Sequence, residues 1–322
     1  MAPGAEWLSF HVAYHSGNRD QLLTDLVRPL VRSLWQEGKL ESFFFLRHVL
    51  GGPHIRLRIR PTPGSRDAVR ETVREQVADY LTAFPSPARS FAGAVSRALA
   101  DNSIEEIPFE PEVERYGGSE LIGKSLDFFV LSSARALGLL GHRATVSAGE
   151  WLTIALRLEA RHVLGFADEV EDLESLIAEP RAILGAGPDL IRERADRAFG
   201  ESGDRLVGLL RREIEKLGLA ALSPLEDGEV ARCLGRELAG VEEATRSRIF
   251  VNQIHMTANR LGLATAEEAY VARILWRTFR RLAEADPTTW SDLESLLAYR
   301  AARDLVPARR LQDLVSLAFA TL

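Results

Sequence analysis

Apolar and polar positions alternate along the first stretch, Trp7 to Tyr14 (WLSFHVAY), which is the period of a strand with one face buried. The period then changes. From about 18 to 36, Leu22, Leu23, Leu26, Val27, Leu30, Val31 and Leu34 recur at steps of three and four, the stripe of an amphipathic helix, with Pro29 inside it as an expected kink. Two short extended runs, Ser42 to His48 and His54 to Arg60, flank Leu50-Gly51-Gly52-Pro53 and predict a hairpin. In the second run Ile55, Leu57 and Ile59 point to one face, and His54, Arg56, Arg58 and Arg60 to the other. A helix over about 65–81 follows, opened by Ser65 with only half of a capping box, and about 88–116 reads as extended or irregular.

The order strand, helix, strand, strand, helix, strand is that of a ferredoxin-like split βαβ unit. Past Ser119 the helical period takes over. Amphipathic helices are expected at about 119–141, 147–163, 181–199, 204–217, 226–238, 242–261, 265–285, 289–302 and 308–319, separated by Gly, Pro and Asp/Ser breaks. The acidic run Asp168 to Ser175 reads as a solvated face, and no repeat of 20–50 residues is visible. The expected class is therefore α+β: an N-terminal ferredoxin-like antiparallel sheet layer, 1–118, followed by a mostly helical region, 119–322. The two are expected to share one cleft.

Composition narrows the functional classes. At 322 residues, 46% apolar and 27% charged, the chain is an ordinary globular protein of about two domains' length rather than a fibrous or disordered one. A single cysteine, Cys233, excludes an internal disulfide and a Cys-based zinc site, so a cytoplasmic location is the expectation. The start, MAPGAEWLSF, has no signal-peptide pattern, and no run of about 18 apolar residues suggests a membrane span. A net charge of −6 disfavours a broad nucleic-acid or acidic-membrane footprint. Among the 40 basic residues only Lys39, Lys124 and Lys216 are lysines. Codon bias accounts for most of that imbalance, yet a guanidinium fork grips carboxylates better than an ammonium does.

Walker A, GxGxxG, HExxH and GxSxG sequences are absent. His11 and His15 lie on a strand and its exit, a poor arrangement for a metal. Three clusters carry more. In GGPHIRLRIR, 51–60, two arginines two residues apart sit with side-chain bases about 7 Å from each other, compatible with a solvated edge or with an anion pocket. In PFEPEVERYGG, 108–118, Glu112, Glu114 and Arg115 lie in a loop held by prolines and glycines, either a structural salt bridge or a carboxylate and guanidinium placed for chemistry. In VNQIHMTANRLGL, 251–263, Ile254, Ala258 and Leu261 form an apolar side, and His255, Asn259 and Gly262 share another face of the helix.

Taken together and in this order, FFFLRHVLGGPHIRLRIR, FEPEVERYGG and HMTANRLGL resemble the C-terminal domain of lantibiotic dehydratases and the free-standing thiopeptide-type bacteriocin biosynthesis proteins. The resemblance runs from Trp7 to the helices past Tyr270 and implies modification of a ribosomally made precursor peptide carrying a leader. Ser and Thr hydroxyls esterified with glutamate, by a separate tRNA-dependent glutamylating enzyme, would lose glutamate by β-elimination to give dehydroalanine or dehydrobutyrine. By motif, Arg56 and Arg58, with His54 and Asn259, correspond to substrate-binding positions, and His255, Glu112 and Arg115 to catalytic ones. His255 is assigned as acid/base and Glu112 as a second proton-transfer or orienting group, the resemblance leaving open which of the two is the base.

The chemistry suits those residue types: the α-proton is weakly acidic and needs a base near neutral pKa, and a departing glutamate carboxylate gains from an arginine grip as charge grows on it. Neither a metal nor an organic cofactor is needed, and no direct nucleic-acid or membrane contact is implied. The resemblance leaves self-association as a homodimer open. One departure stands out: Ser132 occupies the place of an acid in an Asp-Ser pair usual for the family. The same fold also hosts the thiopeptide pyridine synthase, which joins two dehydroalanines in a formal [4+2] aza-cycloaddition and expels the leader; it is the alternative function.

Overall fold

The computed structural model describes residues 4, 6–16, 19–87, 98–169, 172–173, 176, 188–219, 227–303 and 311–320. Its N-terminal layer is a four-stranded antiparallel sheet of order β2-β3-β1-β4, from β1 (Leu8–Ala13), β2 (Leu40–His48), β3 (His54–Pro61) and β4 (Ser103–Glu106). That is the ferredoxin-like order, with β3 inserted between β1 and β2 and β4 closing the opposite edge. Expected and observed strands agree closely because the alternation is strict where one face is wholly dry. Leu8, Phe10, Val12, Ile55, Leu57 and Ile59 are fully buried on that face.

The first helix shows what Pro29 does to a helical stripe. The chain runs as α1 (Arg19–Leu22), a π turn (Leu23–Val27) and α2 (Arg28–Gln36), with Pro29 in the first turn of α2. Proline cannot donate to the ladder, and the wider turn just ahead of it absorbs the mismatch without breaking the helix. Leu22, Leu23, Leu26, Val27, Leu30, Val31 and Leu34 all remain buried. Together with α3 (Arg66–Ala83), this segment covers one face of the sheet, leaving the other to the second half of the chain.

A 3₁₀ turn (Val113–Tyr116) leads into α4 (Ile122–Leu140), α5 (Ala148–Phe166), α6 (Pro188–Leu219), α7 (Asp227–Glu237), α8 (Glu243–Leu261), α9 (Thr265–Ala285), α10 (Pro287–Arg303) and α11 (Leu311–Ala320). The helices expected at about 181–199 and 204–217 are one continuous α6 from Pro188 onward; 181–187 lies outside the described residues, as does 88–97. Gly200 and Gly203, which suggested a break, are carried inside the helix because a helical glycine costs only about 1 kcal/mol relative to alanine. In the acidic run from Asp168, Asp168 stays about half exposed while pairing with Arg246 at 2.5 Å and Glu169 is exposed; 170–171 and 174–175 lie outside the described residues.

Helix α8 is sewn to the sheet at its β2 edge. Asn259 accepts the Arg47 N–H and donates to the Arg47 carbonyl, both at 2.9 Å, while Arg260 donates to the Phe45 carbonyl and Ser133 accepts the Phe45 N–H. An edge strand that would otherwise expose its backbone is thereby satisfied. One apolar cluster runs from Trp7 through the sheet and α4 to Phe319, whose ring stacks on Trp35 at 4.4 Å. No helix among the described residues is long and apolar enough to cross a membrane.

Candidate active site

The sheet face left open by α1–α3 forms one wall of a cavity of about 1050 Å³. Strands β2 and β3, the 109–116 loop, the start of α4, the second half of α8 and the α8–α9 corner line it. Antiparallel register places Arg58 opposite Phe44 and Arg56 opposite Leu46 on this face. Both arginines reach the cavity, and so do Glu112, Arg115, His255 and Asn259. The three sequence clusters, about 200 residues apart at their extremes, therefore meet in one place.

Arg58 is 6% exposed. Its guanidinium donates to the Phe10 carbonyl at 3.5 Å and to His11 Nε2 at 3.2 Å, and it lies over the Phe109 ring. Burial, and then the neighbouring Arg56 charge, push its pKa down to about 9. Arg56 is more open and donates through Nε to His54 Nε2 at 3.4 Å; burial lowers its pKa while the Glu112 carboxylate opposes the shift. His54 itself, 1% exposed, lies beneath the cavity wall with Nδ1 on the Gly52 carbonyl at 2.7 Å. The hairpin can make this turn because Gly52 has φ +103° and a Cβ there would stand 2.5 Å from the His15 ring. Arg60, on the same strand face, turns away to Glu41 at 3.0 Å and to the Trp7 ring.

Glu112 and Arg115 form an exposed ion pair at 3.1 Å, and Arg115 Nε also donates to Asn252 Oδ1 at 3.0 Å. This pins the loop to α8. Gly117 makes the approach feasible, with φ +84° and a Cβ position only 2.7 Å from Leu121 and 3.0 Å from Ile249. Asn259 lines the cavity, but both halves of its amide are engaged by β2, so what it does is seat the His255 helix on the sheet.

His255 has a partner that the sequence did not single out. Its Nδ1 lies 2.8 Å from an oxygen of Glu268, a carboxylate whose side chain is only 3% exposed at the start of α9. The left-handed Gly262 at φ +78° ends α8 and reverses the chain, bringing Glu268 back over His255. Because a carboxylate accepts, His255 Nδ1 carries the proton and Nε2 is left as the basic nitrogen. Asn252 escaped notice for a similar reason, since its partner Arg115 is far away in sequence.

Where the family places an acid, Ser132 Oγ donates to the Phe128 and Phe129 carbonyls. Next to it, Ser133 Oγ accepts from Nε of Arg260, a wholly buried guanidinium over the Phe129 ring whose two terminal nitrogens have no hydrogen-bond partner among the described residues. Burial pushes the Arg260 pKa down to about 9. Among the described residues no group of His, Cys, Asp and Glu is arranged for a metal ion.

A sequence model described as lantibiotic biosynthesis dehydratase C-term matches residues 7–279. The epidermin biosynthesis protein EpiB of Staphylococcus epidermidis is 20% identical over 276 residues, 84% of this chain and 25% of that protein. The chain thus spans about a quarter of the length of the curated relative it matches. Among solved structures, the pyridine synthase TbtD from thiomuracin biosynthesis superposes with a TM-score of 0.64 at 21% identity, over 87% of this chain and 98% of that one. The tRNA dependent lantibiotic dehydratase MibB from Microbispora sp. 107891 gives 0.65 at 21% identity, over 89% of this chain and 29% of that one. At such identity these two likenesses establish the fold.

Proposed function

This chain belongs to the lantibiotic biosynthesis dehydratase C-terminal family, and on that premise we propose that it eliminates glutamate from glutamylated Ser and Thr residues of a ribosomally made precursor peptide. The observation that carries the reading is the meeting, in one cavity, of a carboxylate-oriented histidine with two arginines held by neutral groups. A base and an empty anion seat are what an elimination with a carboxylate leaving group requires.

In this reading His255 Nε2 takes the α-proton of the esterified residue, and Glu268 steadies the imidazolium that forms. The electrons of the broken Cα–H bond form the Cα=Cβ double bond as the Cβ–O bond breaks, and glutamate departs with the bonding pair as a free carboxylate. Arg56 and Arg58 receive it. Because the ester oxygen is neutral before cleavage and charged after, that grip favours the transition state over the bound ester. Arg115, braced by Glu112 and Asn252, orients the glutamyl group from the opposite wall. The glutamate ester would be installed by a separate tRNA-dependent enzyme, and the precursor's leader would supply the remaining affinity.

The test is incubation with a glutamylated precursor peptide followed by mass spectrometry. Release of glutamate with formation of dehydroamino acids, abolished by Arg56→Ala and by His255→Ala, is expected; persistence of the ester in the presence of folded protein overturns the reading. One observation favours a second reading, pyridine synthase: the end-to-end match in length to a solved protein of that description. A peptide already rich in dehydroalanine that gains a macrocycle and loses its leader would establish it.

A further inference from the structure

Beneath the arginine pair, three imidazoles form a ladder across three strands. The rings of His11 and His54 stack with centroids 4.9 Å apart, and those of His48 and His54 stand 5.0 Å apart. Each tautomer is set by a partner that can play only one part. The Gly52 carbonyl only accepts, so His54 Nδ1 carries the proton and Nε2 offers its lone pair to Arg56 Nε at 3.4 Å. Arg58 Nη2 only donates, so the His11 Nε2 it meets at 3.2 Å is likewise a lone pair. The Leu50 N–H donates to His48 Nδ1, which fixes that ring in the opposite tautomer.

The consequence is electrostatic. A buried guanidinium needs hydrogen-bond acceptors, and the usual acceptor is a carboxylate that also cancels its charge. Here the acceptors met by Arg58 Nη1 and Nη2 and by Arg56 Nε are neutral, so those N–H groups are occupied without their charge being cancelled; Glu112 acts on Arg56 only through space and is itself paired with Arg115. We propose that His11 and His54 are positioning residues for the arginine pair, fixing the Arg58 and Arg56 guanidiniums through neutral lone pairs and so leaving both charges for an incoming carboxylate. The ligand's identity rests on the elimination reading above; the positioning rests on the ladder alone. Burial and the adjacent guanidiniums keep the ladder unprotonated at neutral pH, with His11 held down to about 3 and His48 to about 4.

The experiment compares His11→Gln, which keeps a neutral acceptor, with His11→Glu, which places a carboxylate beneath the pair. Phenylglyoxal labelling of the half-buried Arg56 is followed by peptide mass mapping, with and without glutarate as a dicarboxylate probe. Wild type and His11→Gln are expected to label within about twofold of each other and to be protected by glutarate; His11→Glu should label about fivefold more slowly and bind glutarate about tenfold more weakly, the scale of one charge-assisted contact. Equal labelling and protection in His11→Glu and wild type overturn the proposal, and so does an equal loss in His11→Gln and His11→Glu. If glutarate protects no form while His11→Glu still suppresses labelling, the carboxylate clamp falls and the positioning stands. Should His11→Glu not fold, His54→Gln and His54→Leu decide: glutarate protection retained in the first and lost in the second is expected, and equal protection in both overturns the proposal.

Discussion

Arginines in the two halves of the molecule are held differently, although Arg47 on β2 pairs with Asp20 at 2.6 Å. In the helical half they meet carboxylates. Glu213, 2% exposed in its side chain, holds Arg157 at 2.8 Å and Arg161 at 2.6 Å, and the equally dry Asp227 holds Arg135 at 2.9 Å. In the hollow of about 580 Å³ between α6 and α9, rich in arginine, two of the arginines also face carboxylates: Arg277 faces Asp196 and Arg280 faces Glu284. At the sheet face Arg58, Arg56 and Arg260 meet carbonyls, imidazoles, a hydroxyl and aromatic rings. Desolvated charge left uncancelled is costly, and a fold tolerates it where a ligand supplies the missing sign. An arginine-lined hollow alone is therefore poor evidence of a site; one in which a buried arginine such as Arg58 meets only neutral acceptors, beside the Arg115–Glu112 and Arg47–Asp20 pairs of the same cavity, is better evidence.

The difference can be tested by breaking each side. Arg58→Gln should lower elimination of glutamate at least about a hundredfold, the scale of losing a donor aimed at developing charge, while leaving the thermal midpoint unchanged or higher because an uncompensated buried charge is removed. Glu213→Gln should do the reverse. Arg157 loses its carboxylate and Arg161 keeps only Asp227 at 3.3 Å, costing about 1–3 kcal/mol in denaturant unfolding, discounted from the fully buried case because Arg157 is 41% exposed, and activity per folded molecule should survive. If Arg58→Gln unfolds the protein and Glu213→Gln silences it, the contrast between the halves is wrong.

A smaller effect is expected at Glu268, which belongs to the site although it lies in the helical half. Glu268→Gln keeps a hydrogen-bond acceptor for His255 Nδ1 but removes the negative charge that favours the imidazolium. We expect kcat to fall about ten- to hundredfold with KM nearly constant. A change confined to KM would mean that the carboxylate orients substrate rather than the base.

How far the sequence reached follows from the range of each interaction. Strand alternation and helical stripes are local, so the β1–β3 register faces, the ferredoxin-like order and most helix bounds were readable from Trp7 onward. Arg56, Arg58, Arg115 and His255 were readable as candidates because their motifs are compact. Partner choice was not. Glu268 and Asn252 act through contacts made by chain reversals and by loop packing on α8, and no spacing rule links them to His255 or Arg115. Nor does alternation tell Arg56 and Arg58, which face the cavity, from His54 below them and Arg60, which turns to Glu41; all four share one strand face. Whether a guanidinium is paired depends on what packs over it, and that is a tertiary fact.

The gentlest probe uses protons. His11 and His48 at the sheet face and His162 in the helical half all have pKa values depressed below 6.5, first by burial, and at the sheet face next by neighbouring arginines and histidines, with His11 at about 3 and the other two at about 4. A folded-state value below the unfolded one means that the unfolded chain takes up protons first. The contribution to stability is then whole above pH 6.5 and is lost as pH falls toward 4 and then 3, at about 1.4 kcal/mol per pH unit for each histidine. Denaturant unfolding at pH 7 and pH 5 should show this loss in wild type, and His162→Leu, which buries an apolar side chain against Phe128 in its place, should reduce it by about 1–2 kcal/mol. His11→Gln should reduce it similarly. The two variants part company when glutarate is added: a bound carboxylate offsets the arginines that repel a proton from His11 but lies far from His162, so glutarate should shrink the acid loss of His162→Leu more than that of His11→Gln. Equal shrinkage in both would assign the sheet-face depression to burial alone.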